Sequence, residues 1–328
     1  MSGLTLVSLA AFLLDPVEPS TPPPALLATT RQLTQEGNWD AANDALNEAI
    51  ARAAGTRDTR LEALLAAELL RVSSDRSAYY KRDPESVGRS LARAWAAAER
   101  AADARADADL AQYEGQVRYG EAFRTGDWES PRALFRSALA GRERVGDRRG
   151  VSESLFYLGL TFDQAGEAEA AMKEYARSRA IAEEIGDEAL QSYTARHIGA
   201  ILEQRGQLDA AYDDIARSVA LRRTSRFFVT LPFALMQEAD FLARHRAEPA
   251  RAMALLEEAI DVAERADSIR ALAAARRELA QLYVETKNAG EALSLARCGL
   301  DAARRFGDSE DVEEAEKQIS AIRSRMSS

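Results

Sequence analysis

This chain of 328 residues is built on a helical unit that returns about every forty residues. Gly146-Asp147 recurs as Gly186-Asp187 and again as Gly307-Asp308. One small side chain recurs in seven units, at spacings of 45, 44, 40, 40, 41 and 40 residues: Ala49, Ala94, Ala138, Ser178, Ser218, Ala259 and Gly299. A fixed period of this length indicates stacked supersecondary units that bury their apolar faces against each other. We therefore expect a solenoid rather than separate globular domains.

Residues 148–185 show what one unit contains. Two apolar stripes with the i, i+3, i+4, i+7 spacing of an amphipathic helix lie on either side of Gly166: Leu155, Leu158, Gly159 and Phe162, then Ala171, Tyr175, Ser178 and Ile181. Glycine at 166 supplies the left-handed turn that ends a helix, and a connection this short makes the two helices antiparallel. The sequence predicts an all-α chain with about seven such pairs over residues 25–308. Residues 309–328, apolar on one face only, are the expected capping helix.

The pattern Leu155-x-x-Leu158-Gly159-x-x-Phe162, followed by Gly166, Ala171, Tyr175 and Ser178, resembles the tetratricopeptide repeat. Its longer period, with Gly-Asp between pairs, is similar to that of kinesin light chains, Pins-type polarity adaptors and the C-terminal parts of large bacterial transcriptional activators. The resemblance covers residues 25–308. It implies a right-handed superhelical solenoid whose concave groove binds a protein or peptide partner.

The N-terminal residues are expected to lie outside the repeats. Residues 1–15 are apolar, and the twelve from Gly3 to Leu14 would form a helix about 18 Å long, too short for a hydrocarbon core of about 30 Å. Neither a basic start nor a small-x-small cleavage site is clear. We expect residues 1–15 to dock on the first repeat or on another chain, with a weak export signal or a chain-boundary artefact as alternatives. We expect residues 16–24 to form a stiff, extended, Pro-rich linker.

Composition argues against several classes of function. A net charge of -10 and a pI near 5.1 disfavour nucleic acid, because phosphates need a basic face. The single cysteine, Cys298, allows no internal disulfide and suits the cytoplasm. Neither His197 nor His245 has metal-ligand spacing to another histidine or cysteine, and no phosphate loop or nucleophile elbow is present. We expect no catalysis, cofactor, metal or membrane insertion.

Candidate binding residues follow from the resemblance, which places the first helix of each pair on the concave face. Side chains of that helix outside its apolar stripe then line the groove: Tyr113, Gln116, Arg124, Phe156, Asp163, Gln164, Tyr193, Arg196, Gln204, Arg277 and Gln281. Rings, amides and arginines suit an extended peptide, with the arginines pairing to its acidic groups. An ordinary hydrated surface is the alternative interpretation.

Two irregular segments interrupt the repeat. Residues 72–85 carry Tyr79 and Tyr80, and we expect a helix-to-helix loop with both tyrosines folded back. Residues 226–236 are the densest aromatic stretch, and Pro232 should delay or kink the helix there. A deeper core is the expectation for this second segment. A ligand pocket or a self-association surface is the alternative.

The tryptophans are expected to be structural. Trp39 and Trp128 each follow a Gly-Asn or Gly-Asp turn between paired helices, where an aromatic ring can pack over the turn. Trp95 lies in an alanine-rich helix, where we expect it to fill a gap between repeats.

The leading hypothesis for function is a non-enzymatic scaffold that holds a protein or peptide in the concave groove. The alternative is a ligand-sensing regulatory module of a bacterial transcriptional or signalling system. Because no helix-turn-helix or Walker motif precedes residue 25, such a module would act through a separate effector protein. A third possibility is self-assembly into a homo-oligomer through the N-terminal segment or residues 226–236.

Overall fold

A computed structural model describes residues 24–285 and 288–327, which form fifteen α-helices and no strand. The helices are α1 (Pro24–Glu36), α2 (Trp39–Thr56), α3 (Thr59–Tyr79), α4 (Pro84–Ala101), α5 (Ala104–Thr125), α6 (Glu129–Arg144), α7 (Arg148–Gln164), α8 (Ala168–Ile185), α9 (Glu188–Gln204), α10 (Leu208–Thr224), α11 (Leu231–His245), α12 (Pro249–Arg265), α13 (Ile269–Glu285), α14 (Ala289–Phe306) and α15 (Ser309–Ser327).

The all-α solenoid predicted from the period is confirmed. Helices α1 to α14 form seven pairs, each helix packing on the next one along the chain, and α15 follows the last pair. The apolar helix predicted for residues 1–15 lies outside the described residues. So does the predicted linker, apart from Pro24, which begins α1.

The recurring Gly-Asp dipeptide marks the boundary between two pairs for a simple reason. Gly146 has a φ of +72°, the left-handed conformation that lets a helix end without a clash at Cβ. Asp147 then caps the next helix, because its Oδ1 accepts the backbone N–H of Gly150 at 3.0 Å. Gly186-Asp187 repeats this arrangement, with Asp187 Oδ1 accepting from the N–H of Leu190 at 3.0 Å. Two adjacent residues thus end one helix and start another.

Small residues allow the two helices of a pair to pack closely. A Cβ added to Gly159 of α7 would lie 2.5 Å from the Tyr175 ring of α8, and one added to Gly115 of α5 would lie 2.6 Å from Phe135 of α6. Tyr175 and Phe135 are fully buried. The size pattern of the sequence therefore fixes how closely the helices of each pair approach.

The two ends of the solenoid meet along a contact that we call the seam, formed by residues 35–39 and 82 on one side and residues 226–229, 266 and 306–308 on the other. The N–H of Val229 donates to Gln35 O at 3.0 Å, and the N–H of Arg82 donates to Phe306 O at 2.9 Å. Arg226 forms an exposed salt bridge with Glu36 at 2.8 Å. Trp39 packs in a buried cluster with Val229 and Ala266. The concave face therefore surrounds an interior space rather than an open groove.

The structure corrects two expectations about irregular regions. Residues 72–79 continue α3 and are not a loop, and the Tyr79 ring lies 6.0 Å from that of Phe233. Trp95 does not fill a gap between repeats, because it is 47% exposed.

Residues 226–236 follow the prediction more closely. Helix α11 starts only at Leu231, with Pro232 in its first turn. Phe227, Val229 and most of the first turn of α11 are buried within the chain. A deeper core at this seam is what the structure shows, so self-association through this segment would first require the seam to open.

Candidate binding site in the superhelix interior

We call the space enclosed by the solenoid the lumen. It contains a cavity of about 60 Å³. First helices of successive pairs line this cavity, from α1 through α3, α5 and α7 to α9, together with the start of α2 and the segment before α11. The second helices from α4 to α10 contribute no residue to it. The predicted orientation, with first helices facing inward, therefore agrees with this cavity.

Three of the residues predicted for the groove come together at this cavity. Gln116 of α5, Phe156 of α7 and Tyr193 of α9 all line it, and the rings of Phe156 and Tyr193 stack with centroids 5.0 Å apart. For Phe156 and for Tyr113, however, the expectation of a freely exposed groove side chain is wrong. Both are only 2% exposed, because helices on both sides pack against them.

A second group of predicted residues forms a polar cluster around His197. Asp163 accepts a hydrogen bond from the Tyr175 hydroxyl at 3.2 Å and lies 3.6 Å from Nδ1 of His197. Arg196 lies on the other side of the imidazole, with its Nη1 3.3 Å from Nε2. Burial lowers the pKa of His197 to about 4 although the nearby Asp163 carboxylate acts in the opposite direction, so the imidazole is neutral at pH 7.

Other predicted residues lie away from the cavity. Arg277 forms an ion pair with Glu314 of α15, and Gln281 donates to Glu285 at 3.1 Å. Both line a depression of about 520 Å³ between α13 and α15. Three further predicted residues, Arg124, Gln164 and Gln204, are exposed in the last turns of their helices. The predicted set is therefore divided between the lumen, the depression and the helix ends.

The predictions missed a buried ionic cluster on α3. Nη2 of Arg71 lies 2.7 Å from Glu68 Oε1, and its Nη1 lies 2.7 Å from Asp75 Oδ2. Burial alone would raise the pKa of Glu68, but the Arg71 guanidinium lowers it to about 2. For Asp75, burial outweighs the same guanidinium and raises the pKa to about 6. The signal in the sequence was the presence of two charged residues, Glu68 and Arg71, within the apolar run of α3 at residues 63–72.

Two polar groups at the cavity wall have no protein partner. Nε of Arg31 and Nε1 of Trp39 are buried, and neither makes a hydrogen bond within the described part of the chain. Buried donors of this kind are normally satisfied, so each is available to water or to a ligand. The lumen therefore offers donors as well as aromatic surface.

Among residues 24–285 and 288–327, no group of three or more His, Cys, Asp or Glu side chains is placed to hold a metal ion. No helix in the same ranges is both long and apolar enough to cross a bilayer.

The chain has the tetratricopeptide type of helical repeat fold, as comparison with solved structures shows. A Pyrococcus horikoshii signal-transduction ATPase with numerous domains and a tetratricopeptide repeat sensor gives a TM-score of 0.59 at 13% identity, over 85% of this chain and 43% of that one. A Rap protein complexed with competence and sporulation factor gives 0.56 at 10% identity, over 92% and 98% of the two chains. Yeast Tom70 gives 0.56 at 14% identity, over 88% and 60%. The sequence matches no protein-family model and no curated protein.

Proposed function

We propose that this protein is a non-enzymatic scaffold that binds an extended protein or peptide segment against the inner face of its solenoid. The observation that supports this most is the composition of the lumen wall. Rings, arginines, amides and unpartnered donors face a common enclosed space, whereas a solenoid with a purely structural interior would bury apolar side chains there. Main-chain groups of an extended segment could satisfy such donors.

The sizes of the two spaces suggest a route of entry. The lumen cavity of about 60 Å³ is well below the roughly 300–1,000 Å³ of typical ligand pockets. The depression between α13 and α15, at about 520 Å³, falls within that range. We infer that a segment first contacts the depression, which carries Arg277 and Lys317, and that it fills the lumen only when the seam opens.

A ligand-sensing regulatory role is the second candidate, and the seam is the observation that favours it. A ligand in the lumen would lie beside both sides of the seam, since Gln35, Val229 and Phe227 belong to the seam and also line the cavity. Its binding would then change how the two ends of the solenoid meet. Two proteins of similar fold carry related descriptions: one contains a repeat sensor, and the other is complexed with competence and sporulation factor.

Site-specific photo-crosslinking tests the scaffold proposal. A benzophenone amino acid replaces Tyr157, which lines the cavity, or Trp95, which is exposed on α4, and each variant is irradiated in lysate. We expect a crosslinked partner at position 157 and none at position 95, with mass spectrometry identifying the attached peptide. Products at position 95 alone, or only copies of this chain at position 157, would refute binding in the lumen.

Hydrogen exchange then separates the two roles. The amides of Val229 and Arg82 report the seam directly, because each donates across it. Once the crosslinked segment is known, a synthetic version is added to the protein. Faster exchange at both amides in the bound complex supports a sensor whose seam stays open on binding, whereas unchanged or slower exchange supports a scaffold whose seam opens only for entry and then closes again.

A further inference from the structure

One buried position separates two of the seven units from the others. It lies four residues after the recurring small side chain, and it is alanine in five units: Ala53, Ala98, Ala182, Ala263 and Ala303. In α6 and α10 the same position carries Arg142 and Arg222. Both arginines are 1% exposed, although long charged side chains are almost never fully buried without a partner. These two arginines form a matched pair within one chain.

Arg142 has a complete set of partners. Its Nη2 donates to Asp109 Oδ1 at 3.0 Å, and its Nη1 lies 3.1 Å from Glu153 Oε2. Nη1 also donates to Ser154 Oγ and to the carbonyl of Gly150, each at 3.0 Å. Two carboxylates thus compensate its charge within the fold.

Of the four partners that Arg142 has, Arg222 retains an equivalent of only one, the backbone carbonyl. Its Nη1 donates to Thr230 O at 3.2 Å, and Thr230 lies 80 residues after Gly150 just as Arg222 lies 80 after Arg142. The residue equivalent to Asp109 is Tyr193, since each lies six residues after the aspartate that caps its helix. The residues equivalent to Glu153 and Ser154 are Phe233 and Ala234, again 80 residues on. Nε of Arg222 is buried without a hydrogen-bond partner.

A second arginine, Arg196, also lacks the equivalent carboxylate. Arg277 pairs with Glu314, and the residues 81 positions earlier are Arg196 and Phe233. The register is shared, because Gln318 donates to Arg277 O at 2.8 Å and Gln237 donates to Arg196 O at 3.1 Å. Phe233 therefore replaces the glutamate that would face both Arg196 and Arg222. Nε of Arg196 is also buried without a partner.

The two guanidinium groups are therefore not compensated. Within the described ranges no carboxylate forms a salt bridge with Arg196 or Arg222. Burial, and then repulsion from Arg196, lower the pKa of Arg222 to about 9, which leaves it a cation at neutral pH. Glu278 acts on Arg196 at longer range, and burial raises the pKa of that carboxyl to about 7, so at neutral pH it offsets the charge only in part. An unpaired buried charge is costly unless something supplies its counterion.

These arginines lie beside the lumen. The Arg222 guanidinium is 5.4 Å from the centroid of the Tyr193 ring, which lines the cavity, and Arg196 is close enough to Arg222 for the two charges to repel each other. Arg196 itself is partly exposed. Neither arginine lines the cavity itself, so a group bound there would reach them past the Tyr193 ring.

We propose that Arg196 and Arg222 form an anion site in the lumen that takes a carboxylate of the bound segment, from an acidic side chain or a C-terminus. The proposal rests on the scaffold function above and specifies the chemistry of its ligand. A carboxylate is favoured over other anions because the equivalent arginines, Arg142 and Arg277, both pair with carboxylates. The volume of about 60 Å³ admits such a group but not a whole peptide.

The first experiment introduces the missing carboxylate at position 233. Phe233→Glu and Phe233→Gln lose the same ring and differ in one charge. We expect the Glu variant to have the higher melting temperature at pH 7, and the difference to shrink by at least half when Arg222→Met is added to both. Equal melting temperatures, or a more stable Gln variant, would overturn the proposal, because no uncompensated positive charge would then face residue 233.

The ligand is tested with small probes and the NMR signals of the arginine Nε–Hε groups. N-acetyl-aspartate methylamide represents an acidic side chain, N-acetylglycine represents a C-terminus, and N-acetyl-asparagine methylamide is the neutral control at matched ionic strength. We expect saturable shifts of the Arg196 and Arg222 signals with at least one acidic probe, none with the control, and a loss of the response in Phe233→Glu. The probe that binds more tightly identifies the source of the carboxylate.

The outcomes separate this inference from the scaffold function. Shifts that are equal for the acidic and neutral probes, or absent for all three, would overturn the anion site even if the Glu variant were the more stable. Crosslinking at Tyr157 would remain valid in that case, because it does not depend on charge. Conversely, saturable binding of an acidic probe without any crosslinked partner would support a site for a small acid and remove the scaffold function.

Discussion

Gly37 lies at the seam, where an added side chain would collide with the opposite backbone. It lies between α1 and α2 with a φ of +89°, and a Cβ added there would be 2.0 Å from the carbonyl oxygen of Ala266. That oxygen belongs to the backbone on the other side of the seam, so a side-chain rotation cannot relieve the clash. Gly37→Ala is therefore expected to open the seam as well as to strain the local turn.

A matched variant separates these two effects. Gly126 has a φ of +73° and nothing within 4 Å of an added Cβ, so Gly126→Ala measures the conformational cost alone, about 1–2 kcal/mol. Gly37→Ala carries that cost and also loses the contacts across the seam. One backbone hydrogen bond contributes about 0.5–1.5 kcal/mol and the burial of Val229 about 1.5–3 kcal/mol. The exposed Arg226–Glu36 pair adds little. We expect Gly37→Ala to be less stable than Gly126→Ala by about 2–4 kcal/mol.

Urea denaturation of both variants gives the difference in unfolding free energy. Hydrogen exchange at the Val229 amide shows whether the seam is the cause, since this N–H donates to Gln35 O. Faster exchange at Val229 in Gly37→Ala, with no change in Gly126→Ala, is the expected result. Equal stabilities together with unchanged exchange at Val229 would show that the two ends of the solenoid do not meet as described.

Three further predictions concern the repeats and the interior. Gly159→Ala places a Cβ 2.5 Å from the Tyr175 ring and should lower the free energy of unfolding by about 1–3 kcal/mol through overpacking. Gly120→Ala, at an open and exposed helical site, should raise it by about 0.5–1 kcal/mol. Thermal melts compare the two variants. Asp187→Ala removes the cap of α9 and should cost about 0.5–2 kcal/mol in urea, a loss that Asp187→Asn should largely avoid. His197, whose pKa burial lowers to about 4, binds a proton more weakly in the folded chain than in the unfolded chain. As pH falls from 6.5 toward 4, this difference should lower the free energy of unfolding by on the order of 3 kcal/mol. His197→Gln should remove this part of the pH dependence. An imidazole of His197 that NMR finds protonated at pH 5.5 would contradict the prediction.

The sequence alone determined the repeat architecture, because the information for it is local. The Gly-Asp dipeptide ends one helix and caps the next, and side-chain size within a unit sets how closely its two helices pack. Neighbouring units repeat the same contacts, so the period predicted the number of pairs, whereas the inward position of the first helix was implied by the resemblance to the tetratricopeptide repeat. The same local logic explains why Pro232 marks the late start of α11.

The tertiary structure alone decided what the interior contains. Gln35 and Val229 are almost two hundred residues apart, and their contact depends on how small rotations accumulate over several units, which no single repeat encodes. Tyr113 and Phe156 were predicted to be groove residues, but the packing of adjacent helices buries them. The sequence prediction did not distinguish Arg222 from the other arginines. Only the structure showed that its two-period equivalent, Arg142, has carboxylate partners and that Arg222 has none, because a charge is compensated by its neighbours in space and not by its neighbours in the chain.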